Sequence, residues 1–448
     1  MKKLAFPSTI LGLALVAYFY FAPKALPPIH LASGLPSQFG TESLKKAGTY
    51  LIRNVSVIPM TKDTLLSNYH VLVENGRIKQ LTPDLSAIDT AVHPLLIDGT
   101  GKFLIPGLND LHVHINDDNN LLLFVANGVT TVRNMAGYPF HLSLREKINR
   151  RQLLGPTLYT TSPILEGSPN VWKFSRIVRT RQEARQAVIQ FTKAGYDFIK
   201  IYHTLPQELY REILRVGDSL QIPVVGHIPF QVDLNEVLAS SQYSLEHVDV
   251  SPISPHLPLV KRLELIGQSK KWMCPTLLVY KNMQKHPNDP SIPTNYERYV
   301  DKITRTFWQQ RLHYYSRDHY SLQKKMAQLI HKHGGRFIAG TDCLNSYVLA
   351  GFSIHEELQE LVSAGLPEYE VLKACTVNAA IFLKNQSKVG TIEPHKQADL
   401  VLLEGNPLKD IANTKKINGV MLKGIWFSAA ELHQMLAAVK KTYPHQDS

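Results

Sequence analysis

Short apolar runs rich in β-branched residues alternate with longer amphipathic stretches through most of the chain. The runs Gly128–Arg133, Thr157–Thr161, Asp197–Tyr202, Pro223–His227, Met273–Leu278 and Arg336–Gly340 have the length and composition of buried strands. Between them, Gln182–Ala194, Gln207–Val216, Tyr320–Lys332 and His355–Ser363 place apolar residues at helical spacing. Repetition of this unit from Phe103 to Leu383 predicts an α/β fold with a parallel sheet, and eight such units close into a (β/α)8 TIM barrel. A Pro-rich insert, Lys285–Asn295, follows the seventh strand and is placed to cover its mouth.

The ends of the chain carry a different pattern. Tyr50–Ile52, Val55–Ile58, His70–Glu74 and Arg77-Ile78 are short strand segments, and Asn75-Gly76 is a strong hairpin signal because both residues tolerate positive φ. Ala398–Leu403 and Val420–Leu422 repeat the strand signature near the other end, so the two pieces are expected to pair into one small β-sandwich. Ahead of them, Lys2 and Lys3 precede an almost unbroken apolar run from Leu4 to Ala22, close to the ~20 residues that span a bilayer. A small-x-small cleavage site is hard to find around Ala22 and Ala25, which favours an uncleaved transmembrane signal anchor with the body exported; a cleaved signal peptide is the rival. These readings divide the chain into a signal anchor (1–28), a linker (29–47), a first sandwich part (48–102), the barrel (103–385), a second sandwich part (386–430) and a C-terminal helix and tail (431–448).

With 448 residues, 44% of them hydrophobic, the chain fills a large domain and a smaller companion. The net charge of +12 raises the question of nucleic acid. The cations, however, are scattered in short clusters such as Arg145–Arg151, Lys173–Arg185 and Lys261–Lys271, without interleaved aromatics. They read as solvated helix faces, and no nucleic-acid partner is expected. Cys274, Cys343 and Cys375 are odd in number and widely spaced, forming neither a disulfide framework nor a zinc knuckle.

Chemistry concentrates at the strand ends. His112 and His114 close the first barrel strand two positions apart, on one side of it, and can hold one ion together. Lys200 lies in the fourth strand, His227 ends the fifth, His247 the sixth and Asp342 the eighth. Singly, each has an ordinary explanation: a core imidazole, a snorkelling amine, a helix N-cap. Together, four imidazoles, a carboxylate and an amine at the catalytic end of a barrel point to a metal site.

The motifs Pro106–His114, Gly128–Arg133, Ile199-Lys200-Ile201, Ser244–His247 and Gly340-Thr341-Asp342, with Gly351–Leu358 and Ala398–Val401, resemble the amidohydrolase superfamily over nearly all of the chain beyond the anchor. The strand-four Lys is similar to the subgroup of Xaa-Pro dipeptidases and imidazolonepropionase-related hydrolases. The resemblance implies a Lys200 carboxylated by CO2 and bridging two divalent metals, with His112, His114 and Asp342 on one and His227 and His247 on the other. Asn134 departs from the pattern, where many relatives carry Asp; this affects hydrogen bonding and no metal ligand.

The chemistry of the residues agrees. Burial beside cations favours the neutral amine, which reacts with CO2 to become an anionic oxygen ligand. Two ions sharing a water lower its pKa from ~15.7 towards neutrality, and the hydroxide attacks a polarised carbonyl. Asp342 is placed as the catalytic proton carrier. Nitrogen and oxygen ligands suit Zn2+ best, with Mn2+ or Co2+ as substitutes. Arg133 is assigned to a substrate carboxylate or to a structural ion pair, Tyr202 and His203 to substrate contact or packing, His355 to a cap or supporting role, and Cys343 to packing behind Asp342. Glu246, adjacent to His247, is expected on the opposite face of the strand, outside the metal centre. The expected activity is hydrolysis of an amide bond in a small molecule, such as a dipeptide or cyclic amide. Lactone or phosphoester hydrolysis at the same site is the alternative, and an exported non-catalytic binding protein is the reading of another class. The expected partners are a small-molecule substrate and, through the N-terminal segment, the membrane; assembly as a homo-oligomer is compatible with the sequence.

Overall fold

A computed structural model describes residues 47–443 except 90, 91, 173, 249 and 251. The terminal segments form one eight-stranded sheet from β1 (Tyr50–Val57), β2 (Leu66–Glu74), β3 (Arg77–Thr82), β4 (Leu95–Asp98) and β5 (Phe103–Pro106), with β16 (Leu400–Leu403), β17 (Ile417–Leu422) and β18 (Ile425–Ser428). Its path runs β18-β17-β16-β5-β1-β2-β3, with β4 on β1. The two segments expected as separate strands are one strand, interrupted by a register shift between Ile52 and Val55 at Asn54, whose φ is 55°. The Asn75-Gly76 turn has φ values of 51° and 77°, and joins β2 to β3 with Glu74 opposite Arg77. An Arg77–Gln397 bridge brings the β3 end back beside the segment leading into β16, and Ile52, Val73, Ile78, Leu402 and Met421 share one core.

The barrel follows β5 directly. Strands β6 (Leu108–Val113), β7 (Val129–Asn134) and β8 (Thr157–Thr160) form one parallel sheet. A second sheet contains β9 (Leu165–Glu166), β10 (Arg176–Ile177), β11 (Ile199–Ile201), β12 (Val224–Gly226), β13 (Ser244–Glu246), β14 (Trp272–Cys274) and β15 (Arg336–Phe337), in the order β10-β9-β11-β12-β13-β14-β15. Two seams join them. Asp197 N donates to Thr160 O (2.9 Å) and Ser162 N to Phe198 O (2.7 Å), setting β8 beside β11. Leu111 N donates to Ala339 O (2.9 Å) and Asp342 N to His112 O (2.6 Å), setting the segment after β15 against β6. Strands β6, β7, β8 and β11–β15 therefore complete a parallel ring of eight. Helices return the chain between strands: α1 (Asn119–Ala126), α2 (Pro139–Asn149), α3 (Arg181–Ala194), α4 (Gln207–Ser219), α5 (Leu234–Ala239) and α6 (Leu259–Gln268). Helix α3 shows local sequence logic at both ends: the Thr180 side chain accepts from Glu183 N, and Gly195 at φ 89° stops it.

Strand β14 is shorter than the expected Met273–Leu278. Thr276 turns the backbone at φ 52°, and α7 (Leu277–Met283) begins at once. The long excursion from β14 to β15 then supplies α8 (Lys302–Gln310) and α9 (Arg317–Lys332). The Pro-rich Lys285–Asn295 insert does not line the barrel's pocket; α8 and the turn after it do. After β15 come α10 (Phe352–Ser363), α11 (Glu368–Ala374) and α12 (Val377–Phe382), and α13 (Ala429–Thr442) closes the described chain.

The expected exported, membrane-anchored location needs correction. Among the described residues no helix is long and apolar enough to cross a membrane. The Leu4–Ala22 run that motivated the anchor lies outside the described residues.

Candidate metal centre

Parallel strands in a closed ring bring their C-terminal ends to one mouth. His112 lies in β6 and Lys200 in β11, while His114, His227, His247 and Asp342 lie just beyond β6, β12, β13 and β15. All six line one pocket of about 330 Å³. His114 Nε2 is 2.9 Å and His112 Nε2 3.5 Å from Asp342 Oδ1. The rings form a chain: His114 to His112 (5.7 Å between centroids), His112 to His247 (4.9 Å) and His247 to His227 (4.7 Å). The Lys200 amine is buried without a hydrogen-bond partner.

Burial sets the charge states. It lowers the Lys200 pKa to about 8, against the opposing pull of Glu246, so the neutral amine is within reach near pH 7. It lowers His112 to about 3 and His247 to about 4, and holds His227 well below its ordinary value. These imidazoles are neutral at pH 7, the form that ligates metal. Burial alone would raise the Asp342 pKa, but His112, His114 and His247 together pull it below the ordinary carboxylate range.

A buried polar frame orients these groups. Glu246 Oε2 lies 2.9 Å from His112 Nδ1, so a proton on Nδ1 leaves Nε2 as the free lone pair. Thr276 Oγ1 lies 2.7 Å from His247 Nδ1. Asp110 accepts from Thr341 N (2.9 Å) and Thr341 Oγ1 (2.7 Å), tying the residue before Asp342 to β6. Arg133 donates through Nε to Leu111 O (2.6 Å) and through Nη2 to Glu246 Oε1 (2.9 Å) and Oε2 (3.0 Å).

Two expectations change here. Glu246 is inside the centre, because strand alternation ends at that residue. His247 takes φ 64°, and the reversal of direction at a left-handed residue lets neighbouring side chains serve one interior. The polar-apolar-polar run Ser244-Leu245-Glu246 already marked Glu246 and Ser244 as one face. Arg133 has no exposed surface and is occupied by Glu246, so it is the structural ion pair and not the substrate's partner.

Among the described residues two groups have metal-ligand spacing: His112, His114 and Asp342, and His112, Glu246 and Cys274. The second is disfavoured physically, since a cation there would face the Arg133 guanidinium, and burial pushes the Cys274 thiol pKa far up. The first fits a divalent ion, and the unpartnered Lys200 amine is the kind of buried orphan that needs further chemistry.

Tyr202 and His203 line the pocket, with centroids 4.0 Å and 4.2 Å from His227. Cys343 packs behind the site, its Sγ 3.8 Å from His114 O. His355 is buried away from the pocket, with Nδ1 3.0 Å from Thr414 Oγ1. Asn134 accepts from Ile115 N (3.1 Å) and donates to Thr160 Oγ1 (3.1 Å), shaping the loop after β6. Asp110, Thr276 and Arg311 were not anticipated. Asp110 lies within the Pro106–His114 motif, whereas Thr276 and Arg311 lie in loop and helix-end sequence without a distinguishing pattern.

The sequence profile of the Amidohydrolase family matches residues 298–426. A dihydroorotase from Carboxydothermus hydrogenoformans is 42% identical over 67 residues, which are 15% of this chain and 14% of that protein. A bottromycin amidohydrolase structure superposes with a TM-score of 0.75 at 22% identity over 96% of each chain. A Xaa-Pro dipeptidase with bound methionine in its active site superposes with a TM-score of 0.69 at 18% identity, covering 85% of this chain and all of that one. At these identities the two structural likenesses speak to the fold.

Proposed function

We propose that the chain is a member of the amidohydrolase superfamily and a metal-dependent hydrolase cleaving a carbon–nitrogen amide bond in a small molecule. The observation that carries this reading is the convergence of four imidazoles, one carboxylate and an unpartnered buried amine on one pocket. His112, His114 and Asp342 would hold one divalent cation and His227 and His247 a second. Lys200, as a carbamate, would serve both. Carboxylation balances simply: the neutral amine adds CO2, giving the N-carboxylate and releasing one proton. Zn2+ is the preferred ion for these ligands. When bound, the cations supply Lewis acidity, making water acidic and polarising the carbonyl.

The chain's own residues do the rest. Glu246 holds the proton on His112 Nδ1, keeping Nε2 available, and Thr276 does the same for His247. Asp342, ionised and 2.9 Å from His114 Nε2, is the group positioned to receive a water proton on an Oδ atom and return it to the departing nitrogen. Amide plus water gives carboxylic acid plus amine. The apolar wall of Val279, Tyr280, Met283 and Phe307 excludes other water from the reacting carbonyl.

The test is a substrate panel of dipeptides, cyclic amides and N-acyl amino acids, run beside a lactone and a phosphotriester. Turnover of at least one carbon–nitrogen substrate is expected, lost with chelator and restored by Zn2+. Turnover confined to the lactone or phosphotriester, or insensitive to chelator, overturns the reading.

A further inference from the structure

Arg311 is an unsatisfied cation of the pocket that the candidate metal centre does not use. It follows the last residue of α8 and lines the same cavity as the candidate ligands, yet only 8% of its surface is exposed. Neither its Nε nor its Nη1 has a hydrogen-bond partner, and no carboxylate pairs with it among the described residues. Its guanidinium instead lies over three rings: Trp172 (5.8 Å), Phe307 (5.3 Å) and Tyr314 (5.3 Å). Ring contacts of this kind offset only part of what desolvating a cation costs. They also leave the Nε and Nη1 N–H groups, part of the planar fork with which arginine grips a carboxylate, unused.

The pocket lining contains two other groups that can carry a formal charge: the Lys200 amine, already assigned to the metal centre, and the Asp342 carboxylate, which is engaged by His112 and His114. Arg133 is closed off by Glu246, so it cannot serve the substrate. A chain of ring contacts links Arg311 to the centre: Trp172 contacts the Arg311 guanidinium and the Tyr202 ring (6.4 Å), and Tyr202 contacts His227 (4.0 Å). A ligand spanning that aromatic stretch has its amide at the imidazoles and its far end at Arg311.

We infer that Arg311 binds a carboxylate of the substrate, which makes the substrate class anionic amides with an apolar or aromatic flank, such as N-acyl amino acids. This names the substrate class of the site proposed above and rests on that reading. Its test is binding, which does not require turnover. N-benzoyl-glycine and N-benzoyl-L-proline, each with its uncharged carboxamide counterpart, are titrated calorimetrically into the full-length protein, its Arg311→Gln variant and its Arg311→Lys variant. At least one acid is expected to bind wild type about 10- to 150-fold tighter than its amide, the span of a charge-assisted hydrogen bond. The preference collapses in Arg311→Gln and partly survives in Arg311→Lys. Equal binding of acid and amide, no binding of either acid at millimolar concentration, or an acid preference retained in Arg311→Gln overturns the assignment. If the acids bind through Arg311 but no carbon–nitrogen substrate is cleaved, the hydrolase reading fails and the carboxylate site stands.

Discussion

Replacing Arg133 by Met isolates the contribution of the buried frame behind the ligands. The guanidinium and the Glu246 carboxylate are both fully buried, 2.9 Å apart. Burial alone would raise the Glu246 pKa, but Arg133 and His112 hold it well below the ordinary value, so the carboxylate is charged in the folded protein. Met fills much of the arginine stem but leaves that carboxylate with His112 and Ser244 as its hydrogen-bond partners and Lys200 as its nearby cation, and it strands Leu111 O without its 2.6 Å donor. Breaking one side of such a pair costs about 3–5 kcal/mol, mostly because the other charge stays buried. Glu246→Gln should cost a comparable amount by stranding the guanidinium. The double variant strands neither, so it should fall short of the sum by about 2–3 kcal/mol, at the upper end of measured couplings. Urea unfolding of the three variants and wild type, all in chelator so that bound cation contributes nothing, gives the cycle directly. Additivity within ~0.5 kcal/mol would show that the two charges do not depend on each other and refute the reasoning.

His355 lies outside the site, and burial holds its folded pKa near 3 against an ordinary 6.5. As pH falls below 6.5 the unfolded chain takes the proton first, so this residue's contribution, intact above 6.5, declines by up to about 1.4 kcal/mol per pH unit until the folded pKa is reached. Between pH 6 and 4.5, urea unfolding of His355→Gln should show a correspondingly weaker pH dependence than wild type; identical slopes would contradict the burial argument. Gly226 sits at φ 136°, and a Cβ there would lie 2.2 Å from Ile201 O, so Gly226→Ala must push β12 from β11 beside Lys200 and His227. A thermal melt should show a loss of more than ~2 kcal/mol, and an unchanged Tm would be incompatible with that packing. Thr276→Val removes the hydroxyl beside His247 Nδ1 at nearly constant volume. Zn2+ affinity by competition with a chelating dye should drop about 10- to 100-fold with the melt little changed, and wild-type affinity would deny Thr276 its orienting role.

What the sequence made legible follows periodicity. The six residues expected at the centre stand at strand ends in a βα repeat, and position in such a repeat determines which side chains reach the mouth. What escaped depends on single dihedrals or on distant chain. Glu246 was assigned to the wrong face because alternation assumes extended backbone, and His247 is left-handed. Arg133 offered two roles that only the identity of its neighbour across the barrel, Glu246, distinguishes. Thr276 was hidden in a run that reads as continuous strand, although the chain turns there into a helix. Arg311 belongs to the excursion between β14 and β15, and no short-range pattern says that its turn folds back over the pocket. The apolar N-terminal run lies outside the described residues, and among those no helix is long and apolar enough to cross a membrane.

Metal content on mutation of Lys200 tests the central claim most directly. Protein purified without chelator and analysed for elements should carry about two equivalents of divalent metal, the number that this ligand set can serve. Lys200→Ala should keep the same circular dichroism spectrum, because the amine makes no hydrogen bond that the fold would lose. The variant should nonetheless fall to about one equivalent or fewer. Wild type with a reproducible single equivalent or none, or Lys200→Ala retaining both metals, would contradict a centre built around a carboxylated Lys200.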